Sequence, residues 1–139
     1  MKHYFSSLYP PFLFTILCFA AVCALSFFRP SQMPIPGVPG IDKWTHAVMY
    51  LGLTACFWFD YHLHTLRRHT PFAPDLLLFC GFLLPVLIGG IIEICQAHFT
   101  GGWRSGEMAD FVADTLGVII ACLLSPLLLR LAAAITQEE

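Results

Sequence analysis

The chain has 139 residues, of which 58% are hydrophobic and only 12% charged, with a formal net charge of −2. Soluble domains carry about 25% charged residues, so this composition points to one compact membrane domain rather than a soluble fold. The charge and the lack of a basic run exclude nucleic acid as a partner.

Four segments have the length and apolarity of membrane-spanning helices, which need about 20 residues and no fewer than roughly 17. The first covers 12–28, between Pro10-Pro11 and Arg29-Pro30. Its "AAVCA" stretch also suits a signal peptide, but the apolar run is long for one and three further spans follow closely. The Pro/Gly-rich segment "SQMPIPGVPG" reads as an extended connection. The second span covers 43–61, and "YHLHTLRRHTPFAPD" then reads as the other long connection. The third covers 76–99, with Pro85 as a kink point. The fourth covers 109–131, with Pro126 near its end.

The expected architecture is therefore all-α: a single four-helix transmembrane bundle covering 1–139. Trp44, Trp103 and Arg130 suit interface anchors. Lys2, Arg67, Arg68 and Arg130 fall on one side, and Arg29, Lys43 and Arg104 on the other. The contrast predicts an inner-membrane protein with both termini in the cytoplasm. The six cysteines, Cys18, Cys23, Cys56, Cys80, Cys95 and Cys122, lie in apolar stretches without a CxxC pair and read as reduced packing residues.

This topology brings the start of the second helix, the end of the third and the start of the fourth to one level, near the extracytoplasmic side. The unusual polar residues occur there. Asp42, His46 and Tyr50 are spaced i, i+4, i+8. Gly89, Glu93 and Gln96 share a face at i, i+4, i+7, and Asp110, Asp114 and Gly117 repeat that spacing. Charged stripes do not face lipid. They are expected to face one another, with Gly89 and Gly117 permitting close helix packing.

Local roles compete with this reading at several positions. Asp42 suits an N-cap, Lys43 and Trp44 suit interface anchors, and His46 suits a hydrogen-bonded structural histidine. Asp110 is favoured in a first helical turn by the macrodipole. Glu107 suits a solvated or capping residue, and Arg104 a surface anchor. The HxH spacing of His62 and His64 is a weak metal signal, and His98 lies off the main stripe. Asp114 has no such local role. Asp42, Glu93, Asp110 and Asp114 outnumber Lys43 and Arg104, so the cluster carries an excess of −2 with His46 neutral. A retained proton on Glu93 or Asp114, a protonated His46, or a bound metal or cationic ligand would relieve it.

"DKWTHAVMYLGL" resembles the D-K-x-x-H-x-x-x-Y-x-x-L opening of the VanZ-like membrane proteins. "EICQAHFTGGWRSGEMADFVADTLG" resembles that family's E-x-x-Q, then Arg, then D-x-x-x-N-x-x-G. The similarity covers roughly 41–117 and implies Asp42, Lys43, His46, Tyr50, Glu93, Gln96, Arg104, Asp110 and Gly117 as the family's polar positions. Asp114 stands where that pattern has Asn. The resemblance implies a link to the cell envelope or its lipids, in a family named for glycopeptide resistance.

Three functions follow as expectations. In the first, the polar pocket binds an envelope lipid, a lipid-linked precursor or a partner membrane protein. In the second, the chain is an intramembrane enzyme on a lipid-linked substrate. His46, oriented by Asp42, and Glu93 or Asp110 would then be the acid and base, Lys43 and Arg104 would hold a phosphate, and a divalent cation would offset the negative site. In the third, it transports by proton coupling within an oligomer.

Overall fold

The computed structural model describes residues 10–27, 40–102 and 106–137. Four helices account for nearly all of them: α1 (Leu13–Phe27), α2 (Ile41–Arg68), α3 (Pro74–Phe99) and α4 (Met108–Gln137). No strand occurs among the described residues.

Side-chain contacts fix the direction of each helix. Lys43 meets Asp110, His46 meets Asp114 and His62 meets Ser125, so α2 and α4 run parallel. Glu93 at the end of α3 reaches His46 near the start of α2, so α3 runs opposite to both. Thr15 meets Asp60 and Ser26 meets Gln96, so α1 is antiparallel to α2 and parallel to α3. The chain is an up-down-up-down bundle, and the ends expected to share one level do so.

α2 and α4 form the longest interface. Gly117 makes it possible, because a Cβ there would collide with the Ala47 carbonyl oxygen and stand 2.8 Å from the Leu51 nitrogen. Gly89 does the same for α3: a Cβ would stand 3.0 Å from Asp114 Oδ2 and 3.4 Å from the Tyr50 ring. Val22, Tyr50, Leu53, Ile92 and Val118 pack into one core cluster.

α3 is not α-helical throughout. Phe79–Leu83 forms a π-turn directly before Pro85. Proline has no N–H to give the carbonyl four residues back, which is that of Gly81. The Cys122 thiol donates to that carbonyl at 3.3 Å, so a neighbouring helix takes over the missing bond. Such π-turns absorb local mismatch inside α-helices.

α2 runs seven residues beyond the expected end at 61. The stretch Tyr61–Arg68, expected as loop, is helical because it is held from two sides: Tyr61 is buried and His62 is bonded to α4. Only "HTPFA" remains as the connection, beginning with His69 at φ 54°. α4 likewise extends to Gln137, with Pro126 inside it.

Two helices, α3 and α4, are long and apolar enough to cross a membrane. α1 is apolar but has 15 residues, and α2 has 28 but carries several charged residues.

Candidate functional site

The polar residues of α2, α3 and α4 converge at the shared end of the bundle. His46 is the hub. It lies one turn inside α2 and is 2% exposed. Its Nδ1 stands 3.0 Å from Asp114 Oδ1 on α4 and 3.4 Å from Glu93 Oε1 on α3. Its Nε2 stands 4.0 Å from Asp110 Oδ2. Glu93, Asp110 and Asp114 are all buried, Asp114 completely. Imidazole is thus enclosed by three carboxylates.

The outer edge of the cluster is partly solvated. Lys43 Nζ binds Asp110 Oδ1 at 3.1 Å and Glu107 Oε2 at 2.9 Å. The Glu107 backbone N–H donates to Glu93 Oε2 at 3.1 Å, which ties the entry of α4 to the end of α3. Gly106 enables that approach, since a Cβ would run into the Glu93 carbonyl. The Glu107 carbonyl accepts from the N–H groups of Asp110 and Phe111, so this residue opens the first turn of α4. Asp42 is exposed, yet its carboxylate lies within 4.8 Å of donor atoms on His46 and Asp110. No side-chain cap bond is formed at the start of α2, where Gly40 takes the N-cap with φ 72°.

Two expected members are placed differently from the rest. Gln96 is buried on the α1 side, where its amide N–H donates to the Ser26 carbonyl at 2.9 Å. It fastens α3 to α1 rather than facing His46. Tyr50 follows His46 on the inner face of α2 and is 1% exposed, with no hydrogen-bond partner for its hydroxyl. Arg104 and Trp103 lie outside the described residues. His98 bonds its own helix at the Ile94 carbonyl and stays exposed.

A second polar layer lies at the opposite end of the bundle. Asp60 Oδ2 accepts from both the N–H and the hydroxyl of Thr15 at 2.8 Å. The first N–H groups of a helix lack partners within it and carry its positive dipole end. Asp60 therefore caps α1 from another helix. His62 Nε2 stands 2.9 Å from Ser125 Oγ and 3.1 Å from its carbonyl oxygen. A carbonyl only accepts, so Nε2 carries the hydrogen. Sequence reading missed Asp60 as a paired residue, although His46, Leu53 and Asp60 recur every seven positions and mark one inner face.

The six cysteines are all free thiols at intermediate burial. No family profile matches this chain, and neither curated proteins nor solved structures give a match. The chemistry available is therefore that of the cluster: a buried imidazole between carboxylates, able to move a proton or to hold a cation.

Proposed function

We propose that this chain is a multi-pass inner-membrane protein of the VanZ-like kind that binds an envelope lipid or lipid-linked precursor through the His46 cluster. One observation carries the reading: the bundle buries its charged cluster and exposes large apolar side chains. His46, Glu93, Asp110 and Asp114 are buried, whereas Leu17, Ile94, Leu123 and Leu127 are largely exposed. A contiguous apolar exterior suits contact with acyl chains. Charged groups inside such a bundle are costly and belong to a binding or transfer site. The half-exposed Lys43 and Glu107 give the cluster an open edge toward one membrane face. An apolar cavity of about 320 Å³ between α1, α2 and α3, lined by Ile16, Phe19, Leu53 and Ile88 among others, offers room for an acyl chain.

The test is lipid retention. Purified wild-type protein is expected to carry envelope lipid in native mass spectrometry, and folded Glu93→Gln protein is expected to lose it. Equal retention by both would reject binding at this cluster.

A second reading rests on the pairing of His46 Nδ1 with Asp114 Oδ1 at 3.0 Å. A carboxylate-oriented histidine is a general acid or base, so an intramembrane enzyme acting on a lipid-linked substrate remains the alternative. Here Asp114, rather than Asp42, is the orienting acid. Turnover of a lipid-linked phosphate by wild type, absent in Glu93→Gln, would favour this alternative. Proton-coupled transport in an oligomer is less well supported, because Leu53 and Phe57 are buried between the two polar layers.

A further inference from the structure

Two sets of metal-capable donors share His46. Asp42, His46 and Asp110 form one, and His46, Glu93 and Asp114 the other; in each, the donor atoms lie within 4.8 Å of one another. They are not equivalent. Asp42 is exposed, and the Lys43 ammonium already faces Asp110 at 3.1 Å. In the second set all three residues are buried, and no lysine or arginine pairs with Glu93 or Asp114 among the described residues. Two buried carboxyl groups are left facing one imidazole.

Three further features concern the same carboxylates and the neighbouring Tyr50. Glu93 uses Oε2 on the Glu107 N–H, which leaves Oε1 toward His46 without a hydrogen bond. Asp114 Oδ2 is buried and makes no hydrogen bond. The Tyr50 hydroxyl, on a residue only 1% exposed, also makes none, and it lies within electrostatic reach of both Asp114 and Glu93. Buried polar groups are normally paired, so unpaired atoms on both carboxylates of this donor set and on the neighbouring tyrosine call for a partner.

We propose that His46 Nδ1, Glu93 Oε1 and the Asp114 carboxylate form a site for one divalent transition-metal ion, with the Tyr50 hydroxyl beside it. Donors at about 2.0–2.2 Å from a shared zinc ion stand roughly 3.0–3.5 Å apart. The observed separations from Nδ1, 3.0 Å to Asp114 and 3.4 Å to Glu93, fall in that range. The charge balances, since two carboxylates and a neutral imidazole meet a doubly charged ion. One imidazole with two carboxylates suits Zn²⁺ or Mn²⁺. Mg²⁺ keeps several waters and fits a buried protein cage poorly.

Histidine must bind as the neutral ring. Nδ1 taken by metal places the ring hydrogen on Nε2, which faces Asp110 Oδ2 at 4.0 Å. Asp110, itself held by Lys43, lies on that side of the ring but beyond hydrogen-bond distance. The site does not depend on the lipid reading, because metal binding is measured without lipid substrate.

The experiment uses the full chain in nanodiscs, stripped with chelator, exposed to Zn²⁺ or Mn²⁺, desalted and assayed for bound metal. Wild type is expected to retain about one ion per chain, in keeping with the single donor set, and to gain thermal stability from it. Asp114→Asn and Glu93→Gln, with unchanged helix content, are expected to weaken binding at least about tenfold. Tyr50→Phe is expected to weaken it by a few-fold, while Asp42→Asn binds as wild type. The proposal is overturned if wild type retains no metal and shows no thermal shift. It is equally overturned if Asp42→Asn abolishes binding while Asp114→Asn keeps it. Should Asp114→Asn not fold, Glu93→Gln on another helix decides: folded protein that binds like wild type sinks the idea.

Discussion

Asp114 splits its carboxylate between two surroundings. Oδ1 faces His46, and Oδ2 lies against α3 at Gly89. Replacing it by Asn keeps the shape and removes one of two buried carboxyl groups that no lysine or arginine meets among the described residues. Metal-free Asp114→Asn protein is therefore expected to melt no lower than wild type, whereas Asp114→Ala, which leaves His46 Nδ1 without this partner, is expected to lose about 1–3 kcal/mol. Thermal unfolding in detergent by circular dichroism compares them. At the other end, Asp60 accepts two bonds from Thr15. Bonds to a charged group contribute about 1.5–3 kcal/mol, so Asp60→Ala is expected to destabilise the bundle by that order. Thr15→Ala, which removes the hydroxyl but keeps the N–H, is expected to cost less in the same assay.

Helices rather than single residues decide how closely these groups meet. α2 and α4 touch backbone to side-chain-free backbone at Gly117, where a Cβ would strike Ala47. Gly117→Ala must push the helices apart, and overpacking of this kind costs typically 1–3 kcal/mol. Because Asp110 and Asp114 ride on the same helix, the variant is also expected to weaken any ligand held at His46 more than its loss of stability accounts for. Titrating both unfolding and ligand retention in Gly117→Ala checks this. In α3, the π-turn at Phe79–Leu83 and the thiol of Cys122 together accommodate Pro85. The sequence showed where that helix would deviate, since only proline removes a backbone donor, but not how. The accommodation comes from a cysteine 37 positions further along the chain, which no local pattern connects to it.

Across the whole molecule, four serially antiparallel helices return the chain to the side on which it started. Both termini are therefore expected on one membrane face, and the positive-inside rule applied to Arg67, Arg68 and Arg130 leads us to propose that this face is cytoplasmic. Reporters fused at each end and active only outside the cytoplasm are expected to stay silent. Activity at the C-terminal fusion would reverse the orientation and put the His46 cluster at the cytoplasmic edge.

The sequence by itself determined the helical class, the approximate positions of the helices and the shared level of the Asp42, Glu93 and Asp110 regions. Those follow from apolar length, from the 3.6-residue period and from alternating helix direction, all of which act locally along the chain. It also marked His46, Glu93, Asp110 and Asp114, because charge in an apolar helix stands out against its neighbours. Only the tertiary structure decided which of these meet. Gln96 shares a helical face with Glu93 by spacing, yet it turns to Ser26, because α3 packs against α1 as well as against α2 and α4. Asp60 and His62 lay in or beside an expected loop until packing against Thr15 and Ser125 continued the helix through them. A periodicity gives the direction in which a side chain leaves its own helix. What it meets depends on the rotation and proximity of the neighbouring helices, set here by the glycines at 89, 106 and 117.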